Sequence, residues 1–264
     1  WLRRAIETAP DAQTRANATR DLRNVRAASP VTASLNFSIA PSSNINNGSK
    51  SETTDIGGLS FQLSGDAQAL SGIEYRLGGA VGYRVAVSER HTLNFGASLD
   101  TRAYSLSSSA PALAPNRTGS DYAFQEIRLT AASLIRDKDG SDVTQLGASL
   151  GQNWYAGDAL TRIFGLSLDR SFQITPRSTG RAILSAERQN RLDDDARSAT
   201  VVTATGIWSA RLRSGDGLSG QAFLRDTSSA STSIAKFSSG TRLTYSLAQP
   251  DVGQARLHVS LGLE

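Results

Sequence analysis

The chain has 264 residues with no Cys and no Met, 39% hydrophobic residues and a formal charge of +4 from 28 Lys and Arg against 24 Asp and Glu. The missing cysteines exclude a disulfide framework, a thiolate metal site and a cysteine nucleophile, and the two His residues, His91 and His258, leave little room for imidazole chemistry. No run of about 18 apolar residues exists, which rules out a transmembrane helix but not a membrane β-barrel, whose strands are only half apolar.

The length suits one large domain or two ordinary ones. The Arg residues are scattered rather than clustered, so no nucleic-acid partner is expected. The chain begins at Trp1 and shows no signal peptide, which reads as a processed protein or a fragment.

The first residues are helical. Trp1 to Thr8 reads as the end of a helix stopped before Pro10. Asp11 is a plausible N-cap for a second, Ala- and Arg-rich helix that places Ala18, Leu22 and Val25 at helical spacing and ends near Pro30. Residues 1–29 are therefore read as a helical segment, and 30–264 as a second, β-rich domain.

After Pro30 the period becomes two. In Val31 to Ala40 the apolar Val31, Ala33, Leu35, Phe37 and Ile39 alternate with Thr32, Ser34, Asn36 and Ser38. The alternation returns in Ile73–Val87, Leu93–Tyr104, Tyr122–Ile135, Val143–Tyr155, Leu160–Phe172, Arg181–Gln189, Val201–Ala210, Leu218–Arg225, Phe237–Leu247 and Gln254–Leu263. That predicts eleven strands, with Leu59–Leu63 either a twelfth or part of a long loop. Short links near Ser88, Asp137, Pro176, Ser214 and Pro250 alternate with mostly longer ones, of which Pro41–Ser71 is the longest. Outer-membrane barrels show this asymmetry, with short periplasmic turns and long extracellular loops.

A soluble β-sandwich also alternates apolar and polar residues. Three features favour the barrel. Many strands reach ten residues, as a tilted strand needs to cross a bilayer, whereas sandwich strands average about five or six. The polar positions carry both charges, at Glu74, Arg76, Asp100, Arg102, Glu126, Arg128, Arg181, Glu187, Arg225, Arg242 and Arg256, as the wall of a polar lumen would. Aromatic residues gather near strand ends, at Tyr104, Tyr122, Phe124, Trp154, Tyr155, Phe172 and Tyr245, where an interface girdle would sit. The expected fold is an all-β, antiparallel transmembrane β-barrel, with 12 to 14 strands in the intact protein, preceded by a short α-helical segment.

Catalytic motifs fail on context. Gly215, Gly217 and Gly220 spell the dinucleotide fingerprint but lead into an alternating strand instead of a helix. Ser233 and Lys236 have the spacing of an acylation pair, which needs a helix to put both on one face; on a strand they point apart. Asp193, Asp194 and Asp195 read as a solvated loop tip rather than a calcium site. No catalytic residue, cofactor or metal ligand is assigned, and the chain is not read as an enzyme. In the first long loop, Ser43, Asn44, Asn46 and Asn47 form a turn-prone polar cluster, read either as a mobile surface loop or as a functional one.

That cluster carries a resemblance. NFSIAPSSNINNGS at Asn36–Ser49, GGLSFQLSGDAQALSGIEYRLGGAVGYR at Gly57–Arg84 and QNWYAGD at Gln152–Asp158, with Ala156 in place of a Gly, are similar to segments of the surface lipoprotein assembly modifier family. The resemblance covers most of the chain after Pro30. It implies a periplasmic helical-repeat domain, of which residues 1–29 would be the tail. It also implies a fourteen-stranded, monomeric barrel in the bacterial outer membrane, bathed in its lipid, that helps move lipoproteins or secreted proteins across. With eleven or twelve strands visible and no terminal aromatic, truncation at both ends is expected. A diffusion porin or polysaccharide-export barrel is the alternative.

Overall fold

A computed structural model describes residues 2–247 and 258–263. Two helices, α1 (Leu2–Glu7) and α2 (Ala12–Ala28), pack as a hairpin before the sheet. Asp11 caps α2 as its sequence position predicts, accepting from the backbone N–H of Thr14 at 2.7 Å. Among the described residues no helix is long and apolar enough to cross a membrane.

The rest is antiparallel β-structure. The strands are β1 (Val31–Ser42), β2 (Thr53–Ile56), β3 (Leu59–Gln62), β4 (Gly72–Ala86), β5 (His91–Leu106), β6 (Phe124–Arg136), β7 (Val143–Tyr155), β8 (Asp158–Thr175), β9 (Ser178–Arg191), β10 (Ala199–Arg211), β11 (Gly217–Ser229), β12 (Lys236–Ser246) and β13 (His258–Leu263). Eleven of them form one up-and-down sheet in the order β1-β4-β5-β6-β7-β8-β9-β10-β11-β12-β13. Leu59–Gln62 is not a twelfth member: it pairs with Thr53–Ile56 as a separate hairpin within the first long loop. Among the described residues no second sheet stacks on the eleven strands, as a sandwich requires, and β1 and β13 are its edges.

The two ends of the sheet differ. At one rim the strands are joined by residues 87–90, 137–142, 176–177 and 212–216, and α2 enters β1 there through Pro30, whose carbonyl accepts from the Arg84 N–H at 2.7 Å. The other rim carries 43–71, 107–123, 192–198 and 230–235, with one tight exception at 156–157. That exception has φ of 54° at Ala156 and 90° at Gly157, so both central residues are left-handed, as the two-residue hairpin turn requires.

Register makes the faces unambiguous, because residues directly opposite in an antiparallel pair share a face. One row runs Leu35, Gly79, Leu99, Ile127 across β1, β4, β5 and β6. Another runs Leu146, Leu168, Leu184, Ala204, Leu224 from β7 to β11. These apolar side chains are not covered: Leu35 is 78% exposed, Phe37 63%, Leu166 68% and Phe237 66%. Burial lies elsewhere: in a cap on the loop rim, where Ile45, Leu70, Ala110, Ala114 and Tyr122 cluster against Tyr104 and Leu106, and at Ile163, Ala199 and Val201 on the opposite face of the strands. Gly65 against the carbonyl of Leu113, and Gly119 against that of Tyr104, bring backbones closer than any Cβ permits, so these two glycines fix how the loops seat.

Candidate functional site

The face opposite the apolar rows carries most of the charges; Arg162, Arg170, Arg188 and Asp226 fall on the apolar side, toward the strand ends. Glu74 and Arg76 on β4 face Tyr104 and Arg102 on β5, and Asp100 on β5 faces Glu126 on β6. Arg128, Arg181, Glu187, Arg225 and Arg242 fall on the same side by the same counting. Thus ten of the eleven residues singled out by alternation share one face; Arg256 lies outside the described residues.

Their contacts form a ladder. Like charges directly opposite each other are unfavourable, yet Arg76 stands across from Arg102, and Asp100 across from Glu126. The conflict is relieved because the signs interleave: Asp100 takes Arg76 at 2.7 Å and Arg102 at 3.4 Å, while Glu126 takes Arg128 at 3.1 Å. The Arg102 guanidinium also lies 5.7 Å from the centre of the Phe124 ring. Arg181 pairs with Asp169 on the neighbouring strand.

One contact decides the shape of this face. Arg128 on β6 reaches Glu187 on β9 at 2.8 Å, across both β7 and β8. In a flat sheet three interstrand steps amount to about 14 Å, and side chains standing perpendicular to it do not converge. The sheet is therefore bent toward its polar side. Glycine makes room beneath the bridge, since Gly151 lies opposite Arg128 and Gly165 opposite Glu187. The polar face is concave and the exposed apolar face convex.

The first-loop cluster has a different use. Asn46 donates to the carbonyls of Asp66 and Gln68 at 2.9 and 2.7 Å and accepts from the N–H groups of Leu70 and Gly48 at 2.9 and 3.3 Å. Asn44 donates to the Gly48 carbonyl at 2.9 Å. These two side chains fold the loop onto the buried Leu70 instead of presenting a polar surface. Ser43 and Asn47 stay exposed, and Asn47 takes a φ of 52°, which Asn tolerates better than most residues.

The aromatic residues and the two histidines separate by position. Of the expected aromatic girdle, Trp154, Phe172 and Tyr245 share the apolar face, where Trp208 joins them, but Tyr104, Phe124 and Tyr155 stand on the polar face and Tyr122 is buried in the cap. Ser233 is in the turn before β12 rather than on a strand and bonds Ser231 at 2.9 Å. His91 opens β5, with Nε2 2.9 Å from the Ser133 hydroxyl. His258 opens the described part of β13.

Asp193 is held by the Arg191 guanidinium at 2.6 and 2.7 Å, and this pairing lowers its carboxyl pKa to about 2. Asp194 caps the following turn through the Ala196 N–H. Among the described residues no group of His, Asp and Glu is arranged to hold a metal ion. No known family model matches the chain, and no curated protein is similar to it.

Proposed function

We propose that this chain is the membrane-spanning part of an outer-membrane β-barrel that assists the movement of surface lipoproteins or secreted proteins across that membrane. The observation that carries the reading is the inverted face pattern: a convex, uncovered apolar surface and a concave face of interleaved charges, joined by the Arg128–Glu187 bridge. A water-soluble sheet turns its apolar side inward; a barrel in lipid turns it outward and keeps a polar interior.

Strand direction supports closure with further strands. Each of the eleven strands is antiparallel to its neighbours, so β1 and β13 run the same way. In bacterial single-chain barrels the strand number is even and neighbours are antiparallel. One or three more strands between those two edges then give the expected twelve to fourteen. Export is preferred to simple diffusion because the helical hairpin joins at the short-turn rim, the periplasmic side of such barrels, where a client would arrive. The resemblance of Asn36–Ser49 and Gly57–Arg84 to the surface lipoprotein assembly modifier family points the same way. A diffusion porin or polysaccharide-export barrel remains the second reading, favoured by the charged concave face alone.

The test is surface display of candidate lipoproteins in cells with and without the full-length gene. Loss of a client from the surface, with its cellular amount unchanged, supports export. Unchanged display of every client, together with leakage of small solutes from liposomes holding the protein, overturns export in favour of the porin reading.

A further inference from the structure

The charges on the concave face are not evenly balanced. Its acids lie between β4 and β9, where Asp100, Glu126, Asp169 and Glu187 pair with Arg residues and Glu74 and Asp158 stand on the same strands. On β11 and β12 the same face carries Arg225, Lys236 and Arg242 and no Asp or Glu. All three are exposed and none has an ion-pair partner within 4 Å among the described residues, although Arg225 lies within electrostatic reach of Glu187, which leaves Lys236 and Arg242 as the least compensated.

Register puts two of these cations side by side, with the third about 14 Å further along the same strands. Arg225 faces Ser238, so Lys236 is its diagonal neighbour, and Arg242 faces Gln221 further along the same two strands. Adjacent like charges repel unless a counter-ion sits between them. On a concave wall the field of such a group is focused into the enclosed space and raises the local concentration of anions. The interleaved ladder on β4–β9 contributes little net field, so the β11–β12 wall sets the sign.

We propose that the β11–β12 wall is an anion-binding surface, making the lumen selective for anionic solutes or anionic stretches of cargo. This rests on the barrel reading above and adds the charge of what passes.

The experiment is the reversal potential of the full-length protein, with the strands that close the barrel, in a planar lipid bilayer under a potassium chloride gradient. Chloride is expected to permeate about threefold or more better than potassium at low salt, with the preference shrinking as salt screens the wall. The combined variant Arg225→Gln, Lys236→Gln, Arg242→Gln should still conduct but bring the ratio close to one. Arg76→Gln, in the interleaved ladder, should leave the preference for chloride in place. Cation preference in the unaltered chain, or a ratio unmoved by the triple variant, overturns the inference and leaves the barrel standing. A chain that inserts yet carries no current contradicts the open lumen, and the anion surface falls with it.

Discussion

Asn46 satisfies four backbone groups at once, two carbonyls and two N–H groups, one of them on the fully buried Leu70. Removing a partner from buried polar groups costs about 1–3 kcal/mol, more than the net worth of the bonds themselves. Asn46→Ala should therefore loosen the cap without unravelling the strands. Limited proteolysis should cut within residues 43–71 much faster in the variant, while heat stability of the sheet changes little; equal cutting rates would show that Asn46 does not hold the loop.

Asp193 offers a cleaner electrostatic test because it lies outside the strands. Its carboxyl is lowered from 3.8 to about 2, chiefly by the Arg191 hydrogen bonds. A depressed acid stabilises the folded form fully above its ordinary value, and the contribution fades as pH falls through the lowered one. The 192–198 turn should thus keep its Arg191–Asp193 pair at pH 4 and lose it near pH 2. A carbon-13 titration of the Asp193 carboxyl should show a midpoint near 2, moving back up toward 3.8 in Arg191→Gln.

At the scale of elements, periodicity carried most of the information. Alternation in Val31–Ala40 and its ten repeats is a direct imprint of the pleat, since one face had to be apolar throughout. The shared face of Glu74, Arg76, Asp100 and Arg102 was legible for the same reason. What alternation could not convey was pairing across several strands. Arg128 and Glu187 are 59 residues apart, and only the bend of the sheet brings them together. The same alternation separates Tyr104 and Phe124 from a lipid-facing girdle, because they stand two residues from Arg102 and Glu126 and share their parity; nearness to a strand end is the weaker signal. Asn44 and Asn46 looked like a surface cluster because Asn favours turns; their inward use depends on Leu70 lying more than twenty residues away.

The bridge itself can be measured. Arg128 and Glu187 are each about one quarter exposed in their side chains, so the pair is screened less than a surface pair but is not dry. A double-mutant cycle with Arg128→Ala and Glu187→Ala should give a coupling of about 1 kcal/mol in unfolding free energy. A coupling indistinguishable from zero would remove the bridge as a source of curvature.

The whole molecule inverts the arrangement of a soluble protein. Among the described residues the largest fully buried side chain is Leu70, in a loop cap, while Leu35, Leu150, Leu166 and Leu224 on the strands are more than half exposed. An apolar surface running from β1 across β4 to β12 far exceeds the few hundred Å² that soluble monomers leave uncovered. In the barrel reading proposed above, lipid is the solvent that makes such a face favourable.

Because the chain has no cysteine, a thiol can be placed at any position without background. The decisive measurement is labelling by a membrane-impermeant maleimide of single-Cys variants along β8 and β9, with the protein in lipid vesicles. Ser167→Cys and Ser185→Cys, on the concave face, should label readily, while Leu166→Cys, Leu168→Cys and Leu184→Cys are protected until detergent is added. Equal labelling of both sets in vesicles, or full labelling of the leucine positions in a protein that stays soluble without detergent, would contradict the membrane-spanning sheet.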